Sequence, residues 1–139
     1  MAVTIGIEYA GDLHCAAKHG PSGQQLSTDA PVDNGGRGEA FSPTDLVATA
    51  LGSCIATVMA QVADRHGLDL DGMRVNVVKE MTSAPRRRIG SLGVTVTFPT
   101  GGRFSPDDRA RLERTADLCP VRLSLHPDVV VTMRFVYPE

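Results

Sequence analysis

Three cysteines, Cys15, Cys54 and Cys119, are the residues best suited to covalent chemistry in this 139-residue chain. A thiolate is both a nucleophile and an oxidisable centre, so the environment of each sulfur decides what it can do. Cys54 falls in an apolar stretch, where a cysteine also serves as a small hydrophobe in a core. Activating it requires a cation. Arg65 and His66 follow on the same segment, about 16 Å away if that segment is helical, which is out of reach. Arg37, the only arginine before Cys54, lies in a glycine-rich stretch and is the leading candidate to favour a thiolate. It reads equally well as a solvated loop charge. Cys119 precedes Pro120, which suits a first helical position, so its sulfur is expected to cap a short helix. Free amides and the positive helix end there make Cys119 the better prepared thiol on local grounds.

Other clusters carry weaker signals. His14, Cys15 and His19 are close in sequence but lack an evident fourth ligand, so no metal site is expected. Arg86, Arg87 and Arg88 read as a solvated turn that protects a sheet edge. His126, before Pro127, reads as part of a turn rather than as a base for a cysteine.

The elements that must position the two thiols follow from periodicity and caps. Val3, Ile5, Ile7 and Tyr9 alternate with small or polar residues, a turn at Gly11-Asp12 follows, and a second strand returns through Leu13 and Cys15. Ser27 to Ala40 reads as a loop, rich in Pro, Asp, Asn and Gly. Ser42-Pro43-Thr44-Asp45 has an N-cap serine, a proline at the first helical position and an acid at the third, and starts a helix. Leu46, Val47, Ala50, Leu51, Cys54, Ile55, Val58, Met59 and Val62 cover more than half its circumference, and Thr49, Ser53, Thr57 and Ala60 would let another helix approach. From Pro43 to His66 the helix spans about 36 Å, long enough in so small a domain to predict a subunit interface. Strands follow over 73–82 and 88–98. A helix opens at Ser105 and runs to about Leu118, a short one covers 120–125, and a last strand covers 129–136. Strands interleaved with two helices indicate an α+β fold with a mainly antiparallel sheet, in a single domain over 1–139.

Composition narrows the function. Apolar residues make up 42% of the chain and charged ones 22%, an ordinary globular balance. A net charge of -2 gathers neither phosphates nor an anionic membrane, so neither nucleic acid nor a membrane is expected as a partner. The N-terminus lacks the pattern of an export signal, and Leu46 to Ala63 is broken by polar residues and glycine, short of a spanning segment. An odd number of cysteines without such a signal predicts the reducing cytoplasm.

FSPTDLVATALGSCIATVMAQVADRHGLDL, followed later by ADLCPVRLSL, resembles the two signature segments of the OsmC/Ohr family, in its OsmC-like branch. The likeness spans Gly35 to Tyr137. It implies an intertwined homodimer whose long central helices are wrapped by sheets from both chains. It also implies a peroxidatic thiol at Cys54, a resolving thiol at Cys119 and no metal, flavin or haem cofactor. The implied activity is reduction of an organic hydroperoxide, with Arg37 as the matching arginine, and a dithiol reductant such as a protein-bound lipoyl group. Thr44, Asp45 and Leu51 are the expected substrate-binding residues. The hydroperoxidases of the family carry a glutamate where this chain has Thr44, and Asp45 is suited to capping the helix instead. Two alternatives therefore stand beside the peroxidase: a dimeric small-ligand binding or stress protein, and a cysteine hydrolase that would need a histidine near the sulfur.

Overall fold

The computed structural model describes residues 1–139, which form two compact units, Met1–Val47 and Ala48–Glu139.

The first unit contains β1 (Ile5–Gly11), β2 (His14–His19) and β3 (Gln25–Asp29), paired antiparallel in that order. Asp12 and Leu13 both take positive φ, as a two-residue hairpin turn of type I′ requires. Alternation then sorts the faces. Ile5, Ile7, Tyr9 and Leu26 lie on one face, opposite or diagonal to Cys15 and Ala17 in the ladder, and all four stand exposed. β3 falls partly in the segment expected to be loop, because Leu26 is the only large apolar residue in QLSTD and the polar remainder hides the strand. The loop beyond it turns tightly at Gly36, where any side chain would run into the carbonyl of Ala30. Asp29 anchors this end of the sheet. It is buried, its carboxylate meets His14 Nδ1 at 2.5 Å, and it accepts a hydrogen bond from the Glu39 N–H at 3.0 Å.

α1 (Pro43–Arg65) opens with the expected capping box: Asp45 N–H donates to Ser42 Oγ at 3.1 Å, and Ser42 N–H donates to Asp45 Oδ2 at 2.9 Å.

The second unit is built around β4 (Arg74–Thr82), β5 (Arg88–Thr97) and β6 (Val130–Val136), with β5 in the centre. β4 and β5 form an antiparallel hairpin, whereas β6 lies parallel to β5. Parallel pairing needs a crossover of a dozen or more residues, and α2 (Pro106–Ala116) and α3 (Pro120–Ser124) supply it. The strands thus form two separate three-stranded sheets with one parallel pair, rather than one continuous sheet. The core joins Leu51, Ile55, Met59 and Ala63 of α1 to Leu92, Val94 and Val96 of β5 and to Leu112 and Ala116 of α2. Gly52 lets α1 sit close on β4, since a Cβ there would be 3.0 Å from Val77 Cγ2 and 3.5 Å from Val75 Cγ1. By length and composition α1 is apolar enough to cross a membrane, with a mean hydropathy of 1.8 over its most apolar window. Its fully buried stripe on the sheet makes it a core helix instead.

Away from that stripe, Phe98, Phe104 and Tyr137 pack ring against ring, and the Arg109 guanidinium lies 4.1 Å over the Tyr137 ring. Tyr137 Oη donates to Glu113 Oε2 at 2.6 Å. Burial, and then this carboxylate, push the phenol well above its usual pKa, so it stays protonated.

Candidate active site

The stripe that α1 buries leaves another for chemistry. Ala48, Leu51, Gly52, Ile55, Met59 and Ala63 face inward, and the neighbouring line holds Ala50, Cys54, Val58 and Gln61. Cys54 is therefore half-buried at the edge of the core, packed against it yet reachable. Pro120 and Val121 form the opposite wall, enclosing with α1 an open cleft of about 420 Å³ that is mainly apolar and is completed by Ser53 and Thr57.

Cys119, which precedes the lining residue Pro120, is fully buried. Its extended backbone (φ -65°, ψ 143°) places it at the N-cap of α3, and its Sγ accepts a hydrogen bond from the Arg122 N–H at 3.2 Å. Cys54 lies near enough for its charge to bear on the Cys119 sulfur. Both cysteines are free thiols. The expectation that Cys119 is the better prepared thiol is overturned. Burial raises its pKa above the ordinary thiol value, the Arg122 amide pulls it only partly back, and the neighbouring Cys54 pushes it up further. A cap lowers a thiol's pKa only if the sulfur keeps enough solvent or charge around it, and this sulfur is sealed in. The more accessible of the two is Cys54, which is half-buried.

The other expected site residues fall in different places. Arg37 is exposed, and its Nη2 donates to Asp12 Oδ2 at 2.9 Å. Thr44 Oγ1 shares a hydrogen bond with Ser42 Oγ at 3.2 Å, and Asp45 is committed to the helix cap. Leu51 is fully buried in the core and does not line the cleft. His14 pairs with Asp29, and His126 Nδ1 accepts from the Asp128 N–H at 3.0 Å within its own turn. The sequence reading missed Val58, Gln61, Pro120 and Val121 as lining residues. The signal was present for the first two, since positions four and seven beyond Cys54 return to its side of a helix.

The fold and the paired thiols define a class. The family model for OsmC-like protein matches residues 36–134, and the chain belongs to that family. Among solved structures, a protein of Psychrobacter arcticus 273-4, described as a candidate osmotic stress induced and detoxification response protein, is 38% identical. That match covers 97% of this chain and 96% of the other, with a TM-score of 0.90. An organic hydroperoxide resistance protein OsmC of Legionella pneumophila shares the fold at 14% identity over 98% of this chain and 97% of its own, with a TM-score of 0.78. An organic hydroperoxide resistance protein of Elizabethkingia anophelis does so at 11% identity over 99% and 96%, with a TM-score of 0.78. No curated protein matches the chain.

Proposed function

We propose that the protein is a thiol-dependent peroxidase for organic hydroperoxides, with Cys54 as the peroxidatic and Cys119 as the resolving cysteine. The observation that carries this reading is a half-buried sulfur at an apolar cleft whose opposite wall, Pro120 and Val121, directly follows a second, buried sulfur. The Cys54 thiolate attacks the terminal oxygen of ROOH, the O–O bond breaks, and the alkoxide leaves and takes up a proton as ROH. Cys54 is now a sulfenic acid. The Cys119 sulfur displaces its hydroxyl, forming the disulfide and releasing water. A dithiol reductant of the lipoyl type restores both thiols by exchange and is itself oxidised to a disulfide. A buried thiol that stays protonated until Cys54 has been oxidised fits the resolving role, because it does not compete for peroxide.

Arg37 is the cation we assign to the peroxidatic step. Its present partner, Asp12, is exposed, and an exposed pair of this kind is worth at most about 1 kcal/mol, so it does not hold the guanidinium firmly. A homodimer is the assembly we assign, because Ile5, Ile7, Tyr9 and Leu26 present an apolar sheet face that a second copy would cover. Cytoplasmic residence accords with three free cysteines.

Turnover of cumene hydroperoxide with dihydrolipoamide as the reductant tests the reading. Wild type should consume peroxide, and Cys54→Ser should abolish this consumption. Turnover that survives Cys54→Ser would contradict it.

A second reading is favoured by one departure. Thr44 stands where hydroperoxidases of this kind carry a glutamate, and Asp45 is spent on the cap. In that reading the 420 Å³ cleft serves a dimeric small-ligand binding or stress protein, and ligand affinity persists in Cys54→Ser.

A further inference from the structure

Away from the thiols, the second unit holds another cavity, of about 400 Å³ and mainly polar, between the end of α1 and the turn that leads from β5 to α2. One wall is the close of α1. Gly67 takes positive φ (66°), Leu68 N–H donates to the Ala63 carbonyl at 2.9 Å, and the chain continues into Asp69 and Asp71. The other wall is a turn closed by the Gly102 N–H on the Pro99 carbonyl at 3.2 Å, with Gly101 at positive φ. Gly102 admits no side chain, since a Cβ there would stand 2.5 Å from the Phe104 ring, which itself packs against Phe98. Backbone hydrogen bonds thus shape both walls.

Charges of both signs line this cavity and do not meet. Asp69 Oδ1 accepts the Asp71 N–H at 2.8 Å, and none of Asp69, Asp71 and Arg103 forms an ion pair. Opposite charges that share a cavity without pairing leave a gap for a ligand that pairs with each. The carbonyl end of α1 adds partial negative charge on the side of the two aspartates, so a cation belongs there. Arg103 offers the forked donors that suit a carboxylate. A round cavity of this volume is about 9 Å across, and two charge-assisted hydrogen bonds of about 2.8 Å leave about 3 Å between the charges of the ligand. That is the spacing of the ammonium and carboxylate groups in an α-amino acid.

We propose that this cavity binds a free α-amino acid with an apolar side chain. Its ammonium group lies at Asp69 and Asp71, its carboxylate on Arg103, and its side chain against Leu68 and Phe104. The site shares no lining residue with the Cys54 cleft and does not depend on the peroxidase reading.

Calorimetric titration of the whole reduced protein with L-leucine tests the proposal. Leucine should bind saturably. Leucinamide, which lacks the carboxylate, and 4-methylpentanoate, which lacks the ammonium group, should bind about 10-fold or more weakly, the worth of one charge-assisted hydrogen bond. Arg103→Gln should weaken leucine by the same factor and leave leucinamide within about twofold, and the double variant Asp69→Asn, Asp71→Asn should weaken leucine and leave 4-methylpentanoate within about twofold. All three positions are exposed, so unfolding midpoints should stay near that of wild type. Cys54→Ser should bind leucine as wild type does. No saturable binding up to about 10 mM leucine, equal affinity for leucine and leucinamide, or leucine affinity unchanged in Arg103→Gln would overturn the proposal. So would tighter binding of 6-aminohexanoate, an isomer of leucine with its charges further apart, or loss of leucine binding in Cys54→Ser.

Discussion

The Cys119 sulfur accepts a hydrogen bond from the Arg122 amide at 3.2 Å, and Pro120 and Val121, which follow it, stand across the cleft from Cys54. One residue therefore begins α3 beside the cleft that holds Cys54, and burial raises its pKa.

The raised pKa of Cys119 has a consequence for stability. An acid group whose pKa is higher in the folded than in the unfolded state stabilises fully below its unfolded value, about 8.5 for a thiol, and that stability is lost as pH rises through the folded value. The unfolded chain releases the proton first, so alkali favours unfolding. We expect unfolding midpoints of wild type to fall more steeply above about pH 8.5 than those of Cys119→Ser, which keeps a side-chain cap without an acidic proton. Iodoacetamide should modify Cys54 before Cys119 throughout this range, as peptide mass spectrometry can follow.

Asp29 gives the opposite sign. Its hydrogen bond with His14, foremost, lowers its pKa; burial raises it by less, and the hydrogen bond from the Glu39 amide lowers it further. A lowered acid stabilises above its unfolded value, about 3.9, and this contribution is lost as pH falls through the folded value. Asp29→Asn should therefore flatten the loss of stability below about pH 4 seen in wild type. The measurement is denaturant midpoint against pH, and an unchanged acid slope would contradict the assignment.

Close approach of α1 to β4 depends on Gly52. Gly52→Leu must push Val77 and Val75 away, and overpacking of this kind costs about 1–3 kcal/mol. The urea midpoint should fall accordingly. A midpoint equal to that of wild type would mean that α1 does not seat on β4 through this glycine.

The legible parts of the structure were those fixed by neighbours in sequence. Ser42, Pro43 and Asp45 announced the start of α1, and Ser105 and Asp108 that of α2, because a cap is closed by residues three apart. Cys119-Pro120 announced α3 for the same reason. Tertiary facts were not legible. The apolar residues around α1 marked a buried helix without telling the stripe of Leu51, Ile55 and Met59, sealed on the sheet, from that of Cys54, Val58 and Gln61, open to the cleft. Leu51 was accordingly expected at the substrate and lies in the core. Caps made Cys119 look activated, but its pKa is governed first by the depth at which the whole fold buries it. The parallel pairing of β6 with β5 depends on how a crossover returns, which alternation within a strand does not encode.

Whether Cys54 and Cys119 form one redox pair is decided by a thiol count on reduced protein treated with one equivalent of cumene hydroperoxide, followed by disulfide mapping. Wild type should lose two thiols rapidly and gain a Cys54–Cys119 disulfide, Cys119→Ser should hold a sulfenic acid on Cys54, and Cys54→Ser should show no rapid loss. A wild-type protein that keeps Cys54 reduced under this peroxide, or that joins Cys54 to Cys15 instead, would contradict the pairing.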